Sequence, residues 1–517
     1  MKTLLFALIL FFENRFCTYF CSIDYISKGI NEMNHTKSLY IMNKRQNLNY
    51  LCGATVLAAS ALVSCGSTSK QPEKPNVLVI LLDDAGYNDF GFNGSKDLKT
   101  PNIDKLAANG VVFSDAHVSA SVSGPSRAGI LSGRYQQRCG YECNLGSKLG
   151  LGLQEETIGD VFLKNGYNTA CFGKWHQGNG PEYHPNKRGF EHFYGFISGH
   201  RSYFFRPDGY DKPGSLHNLQ LNGKQVTFDG YLTDVLADEA AAYIGQRKDS
   251  GKPFMMYLAF NAVHTPMEAT EEDMAMFEGH PRQKLAAMTW AVDRGIGRVI
   301  DKLKETGKYD NTLIFFLSDN GGAHNNQSSN YPLKGFKGNK YEGGIRVPFF
   351  VTYGDRYKGT FDGLSSSLDI FATAIAAAGI DTATLKNPID GVNLLPYLQG
   401  EKEGDPHPFL FWRKERKSAV RMGDYKLISV EGIGERLYNL KDDLGESQDL
   451  CEANRQLCDE MKGAYQEWEK GIITPMLWDE GIWHEVCQEM HRALMNNEKV
   501  TCFSPQDLKK KSGKKKK

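Results

Sequence analysis

Several short stretches of this chain carry side chains suited to work on an anion. Ser123-Gly-Pro125-Ser126-Arg127 leads into Ser132-Gly133-Arg134. Elsewhere stand Asp83-Asp84, Gly173-Lys174-Trp175-His176, His264-Thr-Pro266, Asp319-Asn320 and Lys337. A serine hydroxyl is a poor nucleophile until it is activated. Pro125 suits the first turn of a helix, which would put Ser123 at a positively polarised helix N-terminus facing an anion. Asp83, Asp84, Asp319 and Asn320 make an all-oxygen set, suited to Ca²⁺ or Mg²⁺ and not to zinc. Arg127, Lys174, His176, His264 and Lys337 offer positive charge and protons, which a departing strong-acid anion needs. Taken one at a time, each lysine also reads as a solvated side chain and each histidine as a structural one.

The elements that must position these groups alternate. Pro75–Leu82, Lys252–Phe260 and Asn311–Leu317 are apolar runs of buried-strand character. Asp234–Gln246 and Arg282–Thr306 carry helical patterning. Alternation implies an α/β sheet with helices on both faces, where ligands gather beyond the carboxyl ends of strands. The acidic and histidine motifs fall there.

The ends of the chain read differently. Lysine plus arginine and aspartate plus glutamate both number 61, so no global field points to nucleic acid. Residues 506–517 form a basic tail, holding seven lysines, that reads as disordered and solvated. Residues 1–64 read as a leader, with Met42 as an alternative start. Leu62-Val63-Ser64-Cys65 resembles a bacterial lipobox, which makes Cys65 a lipidation site and residues 65–75 a tether. Beyond the leader no segment holds about 18 unbroken apolar residues. The expected location is therefore the periplasm or cell envelope, with the membrane reached through a lipid. Of eleven cysteines, Cys139/Cys143 and Cys451/Cys458 are spaced closely enough to bridge, and Cys487 and Cys502 are further candidates.

The Ser123–Arg134 motif resembles the signature of the type I sulfatases, in which a Cys or Ser becomes formylglycine (3-oxoalanine). The likeness runs from Asn76 to about Leu450. It takes in GKWH at 173–176, Arg188-Gly189-Phe190, Lys337 with Tyr341-Glu342-Gly343-Gly344-Ile345-Arg346, Asp369-Ile370-Phe371 and Ala419–Leu427. The resemblance implies an alkaline-phosphatase-like large mixed sheet sandwiched by helices over 76–405, with a smaller C-terminal α+β subdomain over 406–505. It implies that Asp83, Asp84, Asp319 and Asn320, with modified Ser123, bind one Ca²⁺. Asp319 would take a proton from the hydrated aldehyde, which Arg127 would hold. Lys174 and Lys337 would bind sulfate oxygens. His264 would protonate the leaving oxygen, and His176 would deprotonate the second hydroxyl. Glu342 and Arg346 would support the site.

Serine at 123 is the bacterial variant, oxidised by a serine-type radical-SAM maturase. The expected reaction is exo-acting removal of O-sulfate from galactose or N-acetylgalactosamine in host or dietary glycans. His200 and Arg201, after Phe193-Tyr-Gly-Phe196, are expected to touch the sugar, its hydroxyls or a neighbouring carboxylate. Trp412-Arg413 and Trp478–Trp483 are further stacking candidates. Two other readings remain: a phosphomonoester or phosphonate hydrolase of the same superfamily, and a non-catalytic glycan-binding lipoprotein.

Overall fold

Asn76-Val-Leu-Val-Ile-Leu-Leu82 is a strand because its apolar side chains can be covered on both faces, and every residue of it is buried. Leu78, Ile80 and Leu82 enter one core layer, while Val77, Val79 and Leu81 enter the opposite one. The computed structural model describes residues 73–144, 149–476 and 481–514. The expected leader, the Met42 start and Cys65 lie outside them.

Among the described residues the main sheet has ten strands. From one edge the order is Gly359–Phe361, Val111–Phe113, Phe349–Tyr353, Thr312–Ser318, Asn76–Leu82, Phe254–Ala259, Asn168–Lys174, His192–Phe196, Gln220–Leu221 and Lys224–Gln225. The five strands from Thr312–Ser318 to His192–Phe196 run parallel, and antiparallel neighbours flank them. Leu232–Gly245 and Gln283–Glu305 cover one face. Ser123–Ser132, Ile158–Lys164 and Asp369–Ala377 cover the other. Parallel central strands place Asp83, Lys174, Asn261 and Asp319 at one edge of the sheet.

A second, antiparallel sheet of four strands (Leu410–Lys414, Lys417–Met422, Tyr425–Val430, Gly434–Asn439) forms the C-terminal part. It joins the main body through a buried charge network. Glu342 Oε1 lies 2.8 Å from Lys426 Nζ, and its Oε2 lies 2.9 Å from His117 Nε2 and 3.3 Å from Arg346 Nη1. Glu446 Oε1 lies 2.9 Å from Lys426, and its Oε2 accepts the Glu342 backbone N–H at 2.7 Å. Burial raises the Glu446 carboxyl to about 7, with Glu342 adding to the rise and Lys426 opposing it. The Asp115, His117 and Glu342 cluster has the donor types of a metal site. It already faces Arg346, Arg421 and Lys426, so its anionic charge is met by the chain itself. The network fixes the segment that follows Lys337.

Two expectations change. The basic tail is not a disordered run over its described part: Pro505–Lys514 is a helix, and residues 515–517 lie outside the described residues. Asp507 accepts from Ser504 Oγ at 2.7 Å and from Phe503 N at 3.1 Å, which starts the helix, and Lys511 Nζ pairs with Glu489 at 2.7 Å. Trp412 is buried, with its indole N–H donating to Val118 O at 2.7 Å, so it offers no sugar platform. Arg413 is taken up by Glu142 and Glu469. Trp483 is exposed, while Trp478 falls outside the described residues. The Cys451 and Cys458 sulfurs lie 2.7 Å apart.

Replacing Glu342 with alanine leaves Lys426 and two arginines facing a buried hole in the charge pattern. We expect a loss of about 3–5 kcal/mol in unfolding free energy, read by chemical denaturation. A loss under about 1 kcal/mol, the range of a surface ion pair, would mean the network is dispensable.

Candidate active site

Ser123 is the first residue of its helix, which is buried along its whole length and ends at Gly133 in the left-handed conformation (φ 65°). Its Oγ lies 3.2 Å from Asp83 Oδ1 and 3.2 Å from Asn320 Oδ1. One turn on, Arg127 Nε donates to Asp319 Oδ2 at 2.8 Å and Nη1 donates to Lys174 O at 3.1 Å. Arg127 Nη2 is buried with no hydrogen-bond partner among the described residues, which leaves a donor spare. Lys174 Nζ lies 2.6 Å from Asp83 Oδ2, and Lys337 Nζ lies 2.8 Å from Asp84. His264 Nε2 lies 3.6 Å from Asp84 Oδ2. Its Nδ1 is 2.6 Å from Thr265 O, and a carbonyl only accepts, so Nδ1 carries hydrogen. Asp84 and His176 both sit at positive φ (63° and 57°), a conformation that costs non-glycine residues about 1–3 kcal/mol and concentrates at functional sites.

Burial raises a carboxyl, yet Asp83 is held well below the usual carboxylate range because Lys174, His264, Arg127 and Lys337 surround it. Asp84 is lowered in the same way, against burial, by Lys337 and His264. Asp319 moves the other way: burial and the Asp83 charge raise it, although Arg127 and Lys174 oppose them. Burial, with Lys174 and Arg127 nearby, keeps His176 well below the ordinary imidazole value, so it is a neutral base in waiting. Asp83, Asp84, Asp319, Asn320 and Ser123 form a linked set of oxygen donors: Asp84 N donates to Asp319 Oδ1 at 3.3 Å, and Asn320 Nδ2 donates to Asp84 Oδ1 at 2.8 Å. Three buried carboxylates there fit a hard divalent cation. His264 also lies within reach of Asp83 and Asp84, but a hard cation prefers the oxygens.

Sequence reasoning missed the residues that hold this frame. Tyr203 Oη contacts the carbonyls of Asn261 (2.7 Å) and His264 (2.8 Å). Asn326 Nδ2 ties Asp84 O to Val263 O. Gln177 Nε2 holds Gly124 O at 2.9 Å. None carries a local signal, because each acts on the backbone of a distant segment.

A parallel-centred sheet with an acidic cage, a buried helix-start nucleophile and three cations defines a hydrolase of anionic esters with the alkaline-phosphatase-like fold. The Sulfatase family model matches residues 75–380, and the chain belongs to that family. It is 31% identical over 498 residues to the uncharacterized sulfatase YdeN of Escherichia coli (strain K12), covering 78% of this chain and 87% of that protein. It is 31% identical over 385 residues to human N-acetylgalactosamine-6-sulfatase, covering 69% and 72%. Among solved structures, Ps i-CgsB in complex with k-i-k-neocarrahexaose superposes with a TM-score of 0.75 at 38% identity, over 80% of this chain and 96% of that one. The protein is a sulfuric ester hydrolase.

The leaving-group side departs from expectation. His200 lines the same cavity as Ser123, Lys174, His176 and His264. Arg201 does not. Its side chain is fully buried, with Nη2 donating to both Asp211 oxygens at 2.9 Å, Nη1 donating to His217 O at 2.9 Å and its guanidinium 4.9 Å from the Phe228 ring centroid. A charge cannot stay buried without such a partner, and Asp211 supplies it from ten residues on. Arg201 is thus a support for the loop and not a sugar ligand. Arg201→Ala would strand Asp211, lowering stability by about 3–5 kcal/mol and reducing turnover of sugar and aryl sulfates alike. Thermal denaturation and parallel kinetics check this; an unchanged Tm with a loss confined to sugars would return Arg201 to the substrate.

Proposed function

We propose that this hydrolase removes O-sulfate, in an exo-acting manner, from galactose or N-acetylgalactosamine units of host or dietary glycans, through formylglycine made from Ser123 by a serine-type radical-SAM maturase. The observation that carries it is the placement of Ser123 at the start of a buried helix, its Oγ 3.2 Å from two oxygen donors of the acidic cage. The likeness to N-acetylgalactosamine-6-sulfatases and to a structure holding a neocarrahexaose supports the sugar class. The cation of the cage is Ca²⁺ in this reading. Cys65 is its lipid anchor and the cell envelope its location.

The residues divide the work by position. Formylglycine, as its hydrate, supplies a nucleophilic hydroxyl and a second hydroxyl able to expel sulfate. Asp83, Asp84, Asp319 and Asn320 would hold the Ca²⁺, which would supply positive charge for an anionic group. Asp319, already bonded to Arg127, accepts the attacking hydroxyl's proton, while the spare Arg127 donor steadies the hydroxyls. Lys174 and Lys337 trade part of their contact with Asp83 and Asp84 for sulfate oxygens. His264, whose Nε2 lies 3.6 Å from Asp84 Oδ2, delivers a proton from Nε2 to the leaving oxygen. Neutral His176 removes the proton of the second hydroxyl so that sulfate departs.

Ser123→Ala should abolish sulfate release, by about four orders of magnitude or more, with the fold intact. In protein made with the maturase, the peptide spanning Ser123 should weigh two hydrogens less than its sequence. Turnover by the alanine variant comparable to that of the natural chain would overturn the nucleophile and, with it, the reaction.

A further inference from the structure

The Ser123 cavity, a chamber of about 420 Å³, is walled, away from the basic and catalytic residues, by Asn144, Asn179, His200, Leu216 and His217. His217 comes from the far end of the loop that Arg201 supports. Its ring centroid lies 4.9 Å from that of His200 and 5.2 Å from that of Tyr210, edge to face in both cases. His200 in turn lies 6.5 Å from His264, near-parallel to it. The loop can come this close because residue 199 is glycine: a Cβ there would fall 2.6 Å from His176 Nε2.

The hydrogen-bond pattern fixes what this wall offers. His217 Nδ1 is 2.6 Å from the His200 carbonyl oxygen, which only accepts, so Nδ1 bears the hydrogen. With Nδ1 engaged, Nε2 is the ring atom left for a substrate hydroxyl. Partial burial, together with His217 and His264, lowers His200, which favours its neutral form. The wall therefore consists of imidazoles, amides and Leu216. The nearby guanidinium of Arg201 is turned into the protein against Asp211. Among the described residues the only lysine or arginine lining the cavity is Lys174, at the sulfate end and engaged with Asp83. Among the described residues, a carboxylate placed in this chamber would lose water without gaining a lysine or arginine beyond Lys174, whereas a hydroxyl would find acceptors.

We propose that His200 and His217 read the hydroxyls of a neutral ring, so that the enzyme accepts O-sulfated hexoses or N-acetylhexosamines and rejects O-sulfated uronates, with His217 as the residue that sets this preference. The proposal rests on the sulfatase reading above and names the sugar class of that site.

The test separates binding from turnover. The Ser123→Ala chain, which leaves substrate intact, is titrated calorimetrically with 6-O-sulfo-N-acetylgalactosamine, 4-O-sulfo-galactose and 2-O-sulfo-glucuronate. The better neutral sugar should bind at least about tenfold tighter than the uronate, the scale of one hydrogen bond satisfied against one charge left unpaired. Adding His217→Phe, which keeps the ring packing and removes Nε2, should weaken the neutral sugars about tenfold and leave the uronate unchanged; His217→Gln, which restores a polar group, should recover most of the loss. In the matured enzyme His217→Phe should lower kcat/KM for the sulfated neutral sugars at least about fivefold more than for 4-nitrophenyl sulfate, whose ring offers no hydroxyl. Uronate binding as tight as that of the neutral sugars, no neutral-sugar binding, or equal losses on sugar and aryl sulfates would overturn the proposal. Failure of the matured protein to hydrolyse even the aryl sulfate would count against the sulfatase reading alone, since the titrations still decide the sugar class.

Discussion

Asp83, Asp84 and Asp319 are three carboxylates with almost no exposure, carried at the ends of two adjacent parallel strands. Like charges about 4 Å apart repel by about 4 kcal/mol at an effective dielectric of 20, so nothing else in the structure stands unless that repulsion is met. Arg127, Lys174 and Lys337 meet part of it, each paired with a different carboxylate. The same cations are those a sulfate group would need. The resting site thus stores its anion-binding groups on its own carboxylates, which explains why Arg127 and Lys174 are buried, and Lys337 partly so, before any substrate arrives.

This requirement reaches outward. Lys337 must come to Asp84 from a long loop, and that loop is fixed where its backbone meets Gly322 and where Gly338 N donates to Ser121 O. A few residues on, Glu342 is locked by Lys426 and Glu446 of the C-terminal part. The small sheet therefore acts as a clamp on the cation loop, and its buried ion pairs are placed where precision of position matters more than stability. On the opposite side of the cavity, the Arg201–Asp211 pair performs the same service for the loop bearing His200 and His217.

What could be read from the chain follows from how local each signal is. Asp83-Asp84 and Asp319-Asn320 were visible because an apolar run ending in acids marks a strand end, and strand ends converge in a parallel sheet. Ser123 and Arg127 were visible because Pro125 starts a helix and four residues make a turn. Arg201 misled because a charged residue beside a binding loop looks like a ligand; only the fold shows Asp211 bending back to bury it. His217 was invisible, since it lies sixteen positions along an irregular loop from Arg201, with whose guanidinium its carbonyl bonds. The helix at Pro505–Lys514 was masked by its lysines, although Ser504 and Asp507 are capping residues at the right spacing. Trp412 shows the remaining ambiguity: an aromatic ring beside an arginine reads as a sugar platform or as core, and burial alone decides.

The central claim is that the acidic cage is balanced by a hard divalent cation in addition to its three basic residues. Elemental analysis of the purified protein, before and after exhaustive chelation, tests it most directly when paired with sulfate release from an aryl sulfate. The account predicts one calcium per chain, loss of turnover as that ion is removed, and recovery on adding Ca²⁺. Full turnover from protein free of stoichiometric divalent cation, or recovery with zinc alone, would contradict it.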